Sequence, residues 1–151
     1  MITIDTVLDY LPQQNPFRFL DSVEELNEEQ IVGKYTFKHD EYFYQGHFPG
    51  NPVTPGVILT EAMAQTGVVA LGLYLTSLEK SKEELRLWTT FFTDCQIEFL
   101  KPVLPGDTVL IKGKRILWRR MKLRSQVQMF LESGDLVAEG TVTGIGVKSG
   151  N

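Results

Sequence analysis

Residues 56–78 read GVILTEAMAQTGVVALGLYLTSL and contain the most apolar part of this 151-residue chain. The apolar side chains lie almost all round a helix rather than along one stripe, which predicts a helix from Gly56 to about Leu78 that other elements enclose. The segment is also long enough to cross a membrane. Glu61 and Gln65 lie inside it, and a carboxylate well inside a single span is costly, so we interpret the segment as a helix buried in a protein core.

The segment before this helix, residues 44–56, reads YQGHFPGNPVTPG. Three prolines restrict its backbone, so we expect an ordered loop that holds His47 in place. Imidazole titrates near neutrality and is the commonest general base. From the loop alone, a purely structural role for His47 is equally well supported.

Three groups at the start of the helix suit acid–base chemistry. Burial would raise the pKa of Glu61, as a general acid requires, although the helix N-terminus acts in the opposite direction and a buried partner is the alternative. Gln65, one turn further on, is placed either to orient Glu61 or to be an ordinary satisfied polar group. The N–H of Gly56 suits a developing oxyanion, and a plain helix-start glycine is the alternative. Together with His47 these groups fit proton abstraction beside a carbonyl with loss of a β-leaving group, and equally hydrolysis.

The rest of the chain is predicted to be mostly β-structure. A short helix is predicted at residues 3–11, and turns at 105–107 and 133–134. Alternating apolar and polar residues predict strands at 17–26, 31–37, 87–100, 108–118, 121–131 and 136–148. This order indicates one α+β domain over residues 1–151, with an antiparallel sheet curled about the long helix.

Composition narrows the possible functions. A formal net charge of −4 argues against nucleic-acid binding. Cys95 is the only cysteine, so no internal disulfide is possible and a reducing compartment is expected. We interpret Cys95 as a small buried apolar residue rather than a nucleophile. The N-terminus lacks the pattern of a signal peptide, and we expect a cytoplasmic protein.

The run from Phe43 to Val57, followed by Glu61-Ala62-Met63-Ala64-Gln65, resembles the 3-hydroxyacyl-ACP dehydratases of bacterial fatty-acid synthesis. The segment Gly46-His47-Phe48-Pro49-Gly50, with a glutamate fourteen residues after the histidine, is highly specific for that family. Shorter matches extend the resemblance over nearly the whole chain: Leu11-Pro12, Pro16-Phe17, Asp21, Phe99, Pro102-Val103, Pro105-Gly106-Asp107 and Leu136-Val137-Ala138-Glu139.

The resemblance implies a hotdog fold, in which an antiparallel sheet wraps one long helix, and a homodimer that in some relatives is part of a hexamer. It implies that His47 of one subunit faces Glu61 of the other, with the Gly56 N–H on the thioester carbonyl. The implied reaction dehydrates a 3-hydroxyacyl chain on acyl-carrier protein to the trans-2-enoyl thioester, without metal, cofactor, nucleic acid or membrane. Substrate contacts are implied for Phe48, Val57, Gln65, Phe91 and Phe92, with one of the last two as the aromatic gate of an apolar tunnel.

Two segments depart from the family pattern. Gln13-Gln14-Asn15 stands where the family usually has His-Arg-Tyr, and residues 96–101 lack several basic residues that help to dock acyl-carrier protein. A run of seven basic residues without an acid, between Lys112 and Arg124, is a candidate substitute, and a solvated hairpin is the alternative. From this run we predict docking by Arg119, Arg120, Lys122 and Arg124. Three other functions stay open: a hotdog thioesterase, a dehydratase of a polyketide or aryl-polyene pathway, and a non-catalytic acyl-binding module.

Overall fold

The computed structural model describes residues 1–149 and contains one antiparallel sheet and one long helix. The six strands lie in the order β1-β2-β4-β5-β6-β3. The elements are β1 (Ser22–Leu26), β2 (Gln30–Thr36), α1 (Gly56–Ser77), the short helix α2 (Lys82–Leu85), β3 (Trp88–Phe99), β4 (Thr108–Arg119), β5 (Lys122–Leu131) and β6 (Leu136–Lys148). Short 3₁₀ helices cover Val7–Tyr10 and Tyr42–Gln45.

Helix α1 forms the centre of the core. Its middle part contacts β2, β4, β5 and β6. By length and composition α1 qualifies as a membrane span, yet 72% of its most apolar window is buried within the fold. The interpretation as an enclosed core helix is therefore confirmed, and so is the hotdog architecture.

Glycines set the distance between α1 and the sheet. A Cβ added to Gly113 of β4 would lie 2.6 Å from the Cα of Gly67. The Ser125 hydroxyl on β5 donates to the Gly67 carbonyl at 2.7 Å. The middle of the helix, Gln65–Ala70, is wound as a π-helix. The helix thus rests directly on sheet backbone, which a side chain at either glycine would prevent.

Two predicted elements near the N-terminus are shorter than expected. The helix predicted at residues 3–11 is only the turn Val7–Tyr10, which ends there because Leu11 precedes a proline and is extended. The strand predicted from Phe17 begins at Ser22, because the Phe19 N–H donates to the Gln65 side chain rather than to a neighbouring strand.

The turns and the buried faces follow the pattern of the sequence. Gly106 and Gly134 have φ of 91° and 93° in the two predicted turns. On β5 the inward residues Leu123, Val127 and Met129 are buried, as the alternation predicted.

Cys95 is exposed, contrary to the prediction that it is buried. It lies on β3, which pairs only with β6 and is therefore an edge strand. The interpretation of Cys95 as a buried apolar residue is wrong, since no other element within residues 1–149 covers this part of the strand.

Candidate active site

The loop that carries His47 is ordered by its own hydrogen bonds. The Tyr44 hydroxyl lies 2.7 Å from the Thr54 hydroxyl, and the Thr54 N–H donates to the Val103 carbonyl at 2.9 Å. The backbones of Phe48 and Asn51 donate to each other at 3.1 and 2.8 Å. These contacts give the loop a defined shape, as its three prolines predicted.

One neighbour decides the tautomer of His47. Its Nδ1 lies 2.9 Å from the Val53 carbonyl oxygen. A carbonyl only accepts hydrogen bonds, so Nδ1 carries the proton and the neutral ring has its lone pair on Nε2. The ring stacks on Phe48, with centroids 4.2 Å apart. His47 is therefore oriented as a base that acts through Nε2.

Glu61 is held by Gln65, which is completely buried. The Gln65 side-chain oxygen accepts from the Phe19 N–H at 2.8 Å, and its Nε2 donates to the Phe17 carbonyl at 2.8 Å. Those two contacts fix which end of the amide is the donor. Nε2 therefore also donates to Glu61 Oε1, at 3.0 Å. Gln65 therefore holds Oε1 of Glu61 in place through this hydrogen bond.

The second carboxyl oxygen of Glu61, Oε2, is available to interact with a substrate. Within the described residues Oε2 makes no hydrogen bond, whereas Oε1 must accept from Gln65. Burial raises the pKa of Glu61, and the Gln65 hydrogen bond lowers it by less. When Glu61 is protonated, its proton is on Oε2, and the group is a hydrogen-bond and proton donor there.

Gly56 begins α1 behind Pro55. In the first turn the N–H groups of Ile58 and Leu59 donate to the Pro55 carbonyl. In the described part of the chain, the N–H of Gly56 has no acceptor among the backbone hydrogen bonds. A Cβ at Gly56 would lie 3.1 Å from the Phe99 ring. The glycine therefore leaves a narrow approach to a helix N-terminus, which suits an anionic oxygen.

Glu61 opens into a cavity of about 380 Å³. The predicted gate residues Phe91 and Phe92 line it, together with Gln13, Ala64, Val68, Val69, Thr90, Val142 and Gly144. A second, more open hollow of about 710 Å³ lies over the start of α1 and is lined by Gly56, Val57, Thr60, Phe99 and residues 92–95 and 97 of β3. The predicted substrate residue Val57 is 76% exposed there, whereas Phe48 stacks on His47.

His47 does not line either hollow. One chain therefore places Glu61, Phe91 and Phe92 together and holds His47 elsewhere.

Two residues at the site were missed from the sequence. Gln13 lines the Glu61 cavity, and its only signal was the departure of residues 13–15 from the family pattern. Phe99 was noted only as a match to the family, although its ring lies against Gly56.

The predicted docking residues lie along the β4–β5 hairpin. Its turn, Arg120 and Met121, has two positive φ angles, 50° and 64°. Arg119, Arg120 and Arg124 are exposed, and Lys122 is partly buried. Arg124 lies 3.8 Å from Asp94 and donates to the Thr143 hydroxyl. Within residues 1–149 the other three side chains form no ion pair.

Residues 11–143 match the family model described as the FabA-like domain. The 3-hydroxyacyl-(acyl-carrier-protein) dehydratase FabZ of Syntrophobacter fumaroxidans is 39% identical over 136 residues, which cover 90% of this chain and 88% of the relative. The enzyme of the same name from Caldicellulosiruptor saccharolyticus is 37% identical over 142 residues, with 93% and 95% covered.

Solved structures share the fold at low sequence identity. The dehydratase heterocomplex ApeI:P from Xenorhabdus doucetiae superposes with a TM-score of 0.76 at 15% identity, covering 94% of this chain and 91% of that one. A thioesterase from Haemophilus influenzae gives 0.66 at 16% identity, with 98% and 92% covered. Since dehydratases and thioesterases share this architecture, the fold does not choose between the two reactions.

Proposed function

The chain belongs to the FabA-like family and is a 3-hydroxyacyl thioester dehydratase of fatty-acid biosynthesis, and we propose that His47 of one subunit and Glu61 of another carry out its reaction. One observation carries the assignment of roles. The neutral ring of His47 has its free lone pair on Nε2, and Glu61, when protonated, carries its proton on Oε2. These are a proton acceptor and a proton donor, the pair that elimination of water needs.

In the first half of the reaction His47 acts as the base. The thioester carbonyl accepts a hydrogen bond from the Gly56 N–H, which raises the acidity of the neighbouring C2–H bond. His47 Nε2 takes the proton from C2, and the electrons of that bond form an enolate. The Gly56 N–H and the helix N-terminus stabilise the oxygen charge.

In the second half Glu61 acts as the acid. Its Oε2 proton goes to the 3-hydroxyl oxygen, the C3–O bond breaks, and the enolate electrons form the C2=C3 double bond of the trans-2-enoyl thioester. Water leaves, and the imidazolium and carboxylate return to their starting states by exchanging a proton through solvent. Each of the two groups is expected to contribute about 10²–10⁴-fold to the rate.

The exposed apolar surface supports a homodimer. β3 has an unpaired edge, and Phe91 and Phe92 on it are 56% and 47% exposed. Long, exposed edge strands are templates for pairing with another chain. A second subunit seated along β3 would cover this strand and bring its His47 to the cavity of Glu61.

The carrier protein we assign is acyl-carrier protein, as the names of the FabZ relatives state for those enzymes. We propose that it docks on the β4–β5 hairpin through Arg119, Arg120, Lys122 and Arg124. Three of these side chains are exposed, and a basic surface complements an acidic carrier. The reaction needs no cofactor, and we infer a cytoplasmic location, where fatty-acid synthesis supplies the substrate.

The decisive experiment mixes two inactive variants. His47→Ala and Glu61→Ala are each expected to remove almost all hydration of a crotonyl thioester while remaining dimeric. In a mixed dimer of the two, one site keeps both wild-type groups and the other loses both. Random mixing with subunit exchange should therefore restore about a quarter of wild-type activity.

A mixture that stays inactive would contradict a site shared between two subunits. If His47 and Glu61 acted within one chain, every site in the mixture would lack one group, and the mixture would stay inactive. The assay also separates dehydration from hydrolysis, since a 3-hydroxyacyl thioester would give enoyl absorbance in the first case and free thiol in the second.

A further inference from the structure

The side chain of Gln13 is unsatisfied in the folded chain. Its Oε1 is buried without a hydrogen-bond partner, and among residues 1–149 it is the only buried side-chain atom of this kind. Buried polar atoms are almost always paired, and an unpaired one calls for a physical reason. A ligand in the adjoining cavity that bonds the amide oxygen once the amide has turned is such a reason.

Gln13 lines the same cavity as Glu61. Most of the other walls are apolar: Ala64, Val68, Val69, Phe91, Phe92 and Val142. Besides Glu61 and Gln13, Thr90 is the polar side chain of this lining. A polar group of an acyl chain bound in this cavity can therefore form hydrogen bonds with only a few side chains of the lining.

The backbone around Gln13 is tied to the catalytic carboxyl. The Gln13 carbonyl accepts from Arg18 Nε at 3.0 Å, and Arg18 also donates to the carbonyls of Leu8 and Leu11. Four residues after Gln13, the Phe17 carbonyl accepts from Gln65, which holds Glu61. The backbone of Gln13 and the side chain of Glu61 are thus each held in place by hydrogen bonds.

We propose that the Gln13 amide hydrogen-bonds the 3-hydroxyl group of the substrate and then the departing water. This inference rests on the proposed function. Protonated Glu61 donates to the hydroxyl oxygen, so the hydroxyl hydrogen needs an acceptor of its own. The Gln13 amide oxygen provides one after turning about its terminal torsion, whose energy wells are broad. The amide moves no proton, and it orients the leaving oxygen toward Glu61.

The test compares ligands that differ only in the hydroxyl group. Binding of 3-hydroxybutyryl-pantetheine and of butyryl-pantetheine is measured by calorimetry, in His47→Ala protein so that the first ligand is not turned over. Adding Gln13→Met, which keeps the length of the side chain, should weaken the hydroxylated ligand about tenfold and leave the saturated ligand unchanged. Gln14→Met is the matched control, because Gln14 is exposed and donates to the Leu11 carbonyl, and both affinities should stay as they were.

Turnover and stability complete the test. In otherwise wild-type protein, Gln13→Met should lower kcat/KM for the 3-hydroxybutyryl thioester about tenfold, while Tm stays equal or rises because an unpaired buried acceptor is gone. Equal weakening of both ligands, or weakening of neither, would overturn the proposal. Absence of enoyl product from wild-type protein would overturn the proposed function instead, and the ligand comparison would still report on Gln13.

Discussion

Single residues at this site have defined reactive atoms because their neighbours have fixed roles as donors or acceptors. The Val53 carbonyl only accepts a hydrogen bond, which keeps the His47 proton on Nδ1. Gln65 is fixed as a donor toward Glu61 by its contacts with Phe17 and Phe19. The reactive atoms, Nε2 and Oε2, are therefore selected by the hydrogen-bond partners of the two side chains.

Glu61 links stability to pH. Burial raises its pKa above the ordinary value of 4.5, so the folded state binds this proton more tightly than the unfolded chain does. The corresponding stabilisation is complete below the unfolded pKa and is lost as pH rises through the folded pKa. Glu61→Gln stays neutral and keeps the contact with Gln65, so we expect its Tm to exceed that of wild type at neutral pH and to match it in acid.

Thermal melts of both proteins across this pH range measure the effect. Glu28→Gln, at an exposed carboxylate, is the control and should follow wild type at every pH. A Tm difference for Glu61→Gln that does not change with pH would contradict the linkage.

At the scale of elements, the depth of α1 in the sheet is set by the contact between Gly67 and Gly113. An alanine at position 113 would place its Cβ 2.6 Å from the Gly67 Cα and 3.1 Å from Ile31 Cγ2. Backbone cannot rotate away as a flexible side chain can, so the helix or β4 must shift. Gly113→Ala should lower the free energy of unfolding by roughly 1–3 kcal/mol, the range for overpacking in a core.

Urea denaturation provides that measurement. Gly46→Ala is the control, because a Cβ there meets nothing within 4 Å and φ is −102°. Equal stabilities for the two variants would show that α1 has room to move away from the sheet.

The same scale shows which elements could be predicted. The long helix and the four strands after it follow from periodicity, because each buries its own repeating pattern of side chains. The start of β1 does not, since Phe17 and Phe19 alternate with Arg18 as in a strand but make their backbone hydrogen bonds with the Gln65 side chain. Those two hydrogen bonds join residues that are 46 and 48 positions apart in the sequence, so no local pattern can reveal them.

At the scale of the whole molecule, binding of an acidic carrier protein depends on where the basic residues lie more than on the net charge. The chain is acidic overall, yet exposed Arg119 and Arg120 extend from one hairpin end. If this end receives an acidic carrier, Arg119→Glu with Arg120→Glu should raise KM for acyl-ACP about tenfold and leave KM for a short free thioester unchanged.

Steady-state kinetics with both substrates test the docking surface. Lys34→Glu with Lys38→Glu makes the same charge change at the opposite end of β4, where Lys34 pairs with Leu110, and its KM for acyl-ACP should be unaffected. An equal effect of the arginine variants on the free thioester would mean that they disturb the site itself and would rule out docking at this hairpin.

The sequence alone determined the enclosed helix and the hotdog sheet, and it named His47, Glu61 and Gly56 as candidates, because each of these rests on a local period or a short motif. Only the tertiary structure decided that Cys95 is exposed, that Gln65 fixes the proton of Glu61, and that Gln13 lines the cavity of Glu61. These features depend on which distant segments meet and on which strand is left at the sheet edge. Hydrogen bonds between such segments are set by packing in three dimensions, and neither composition nor spacing along the chain encodes them.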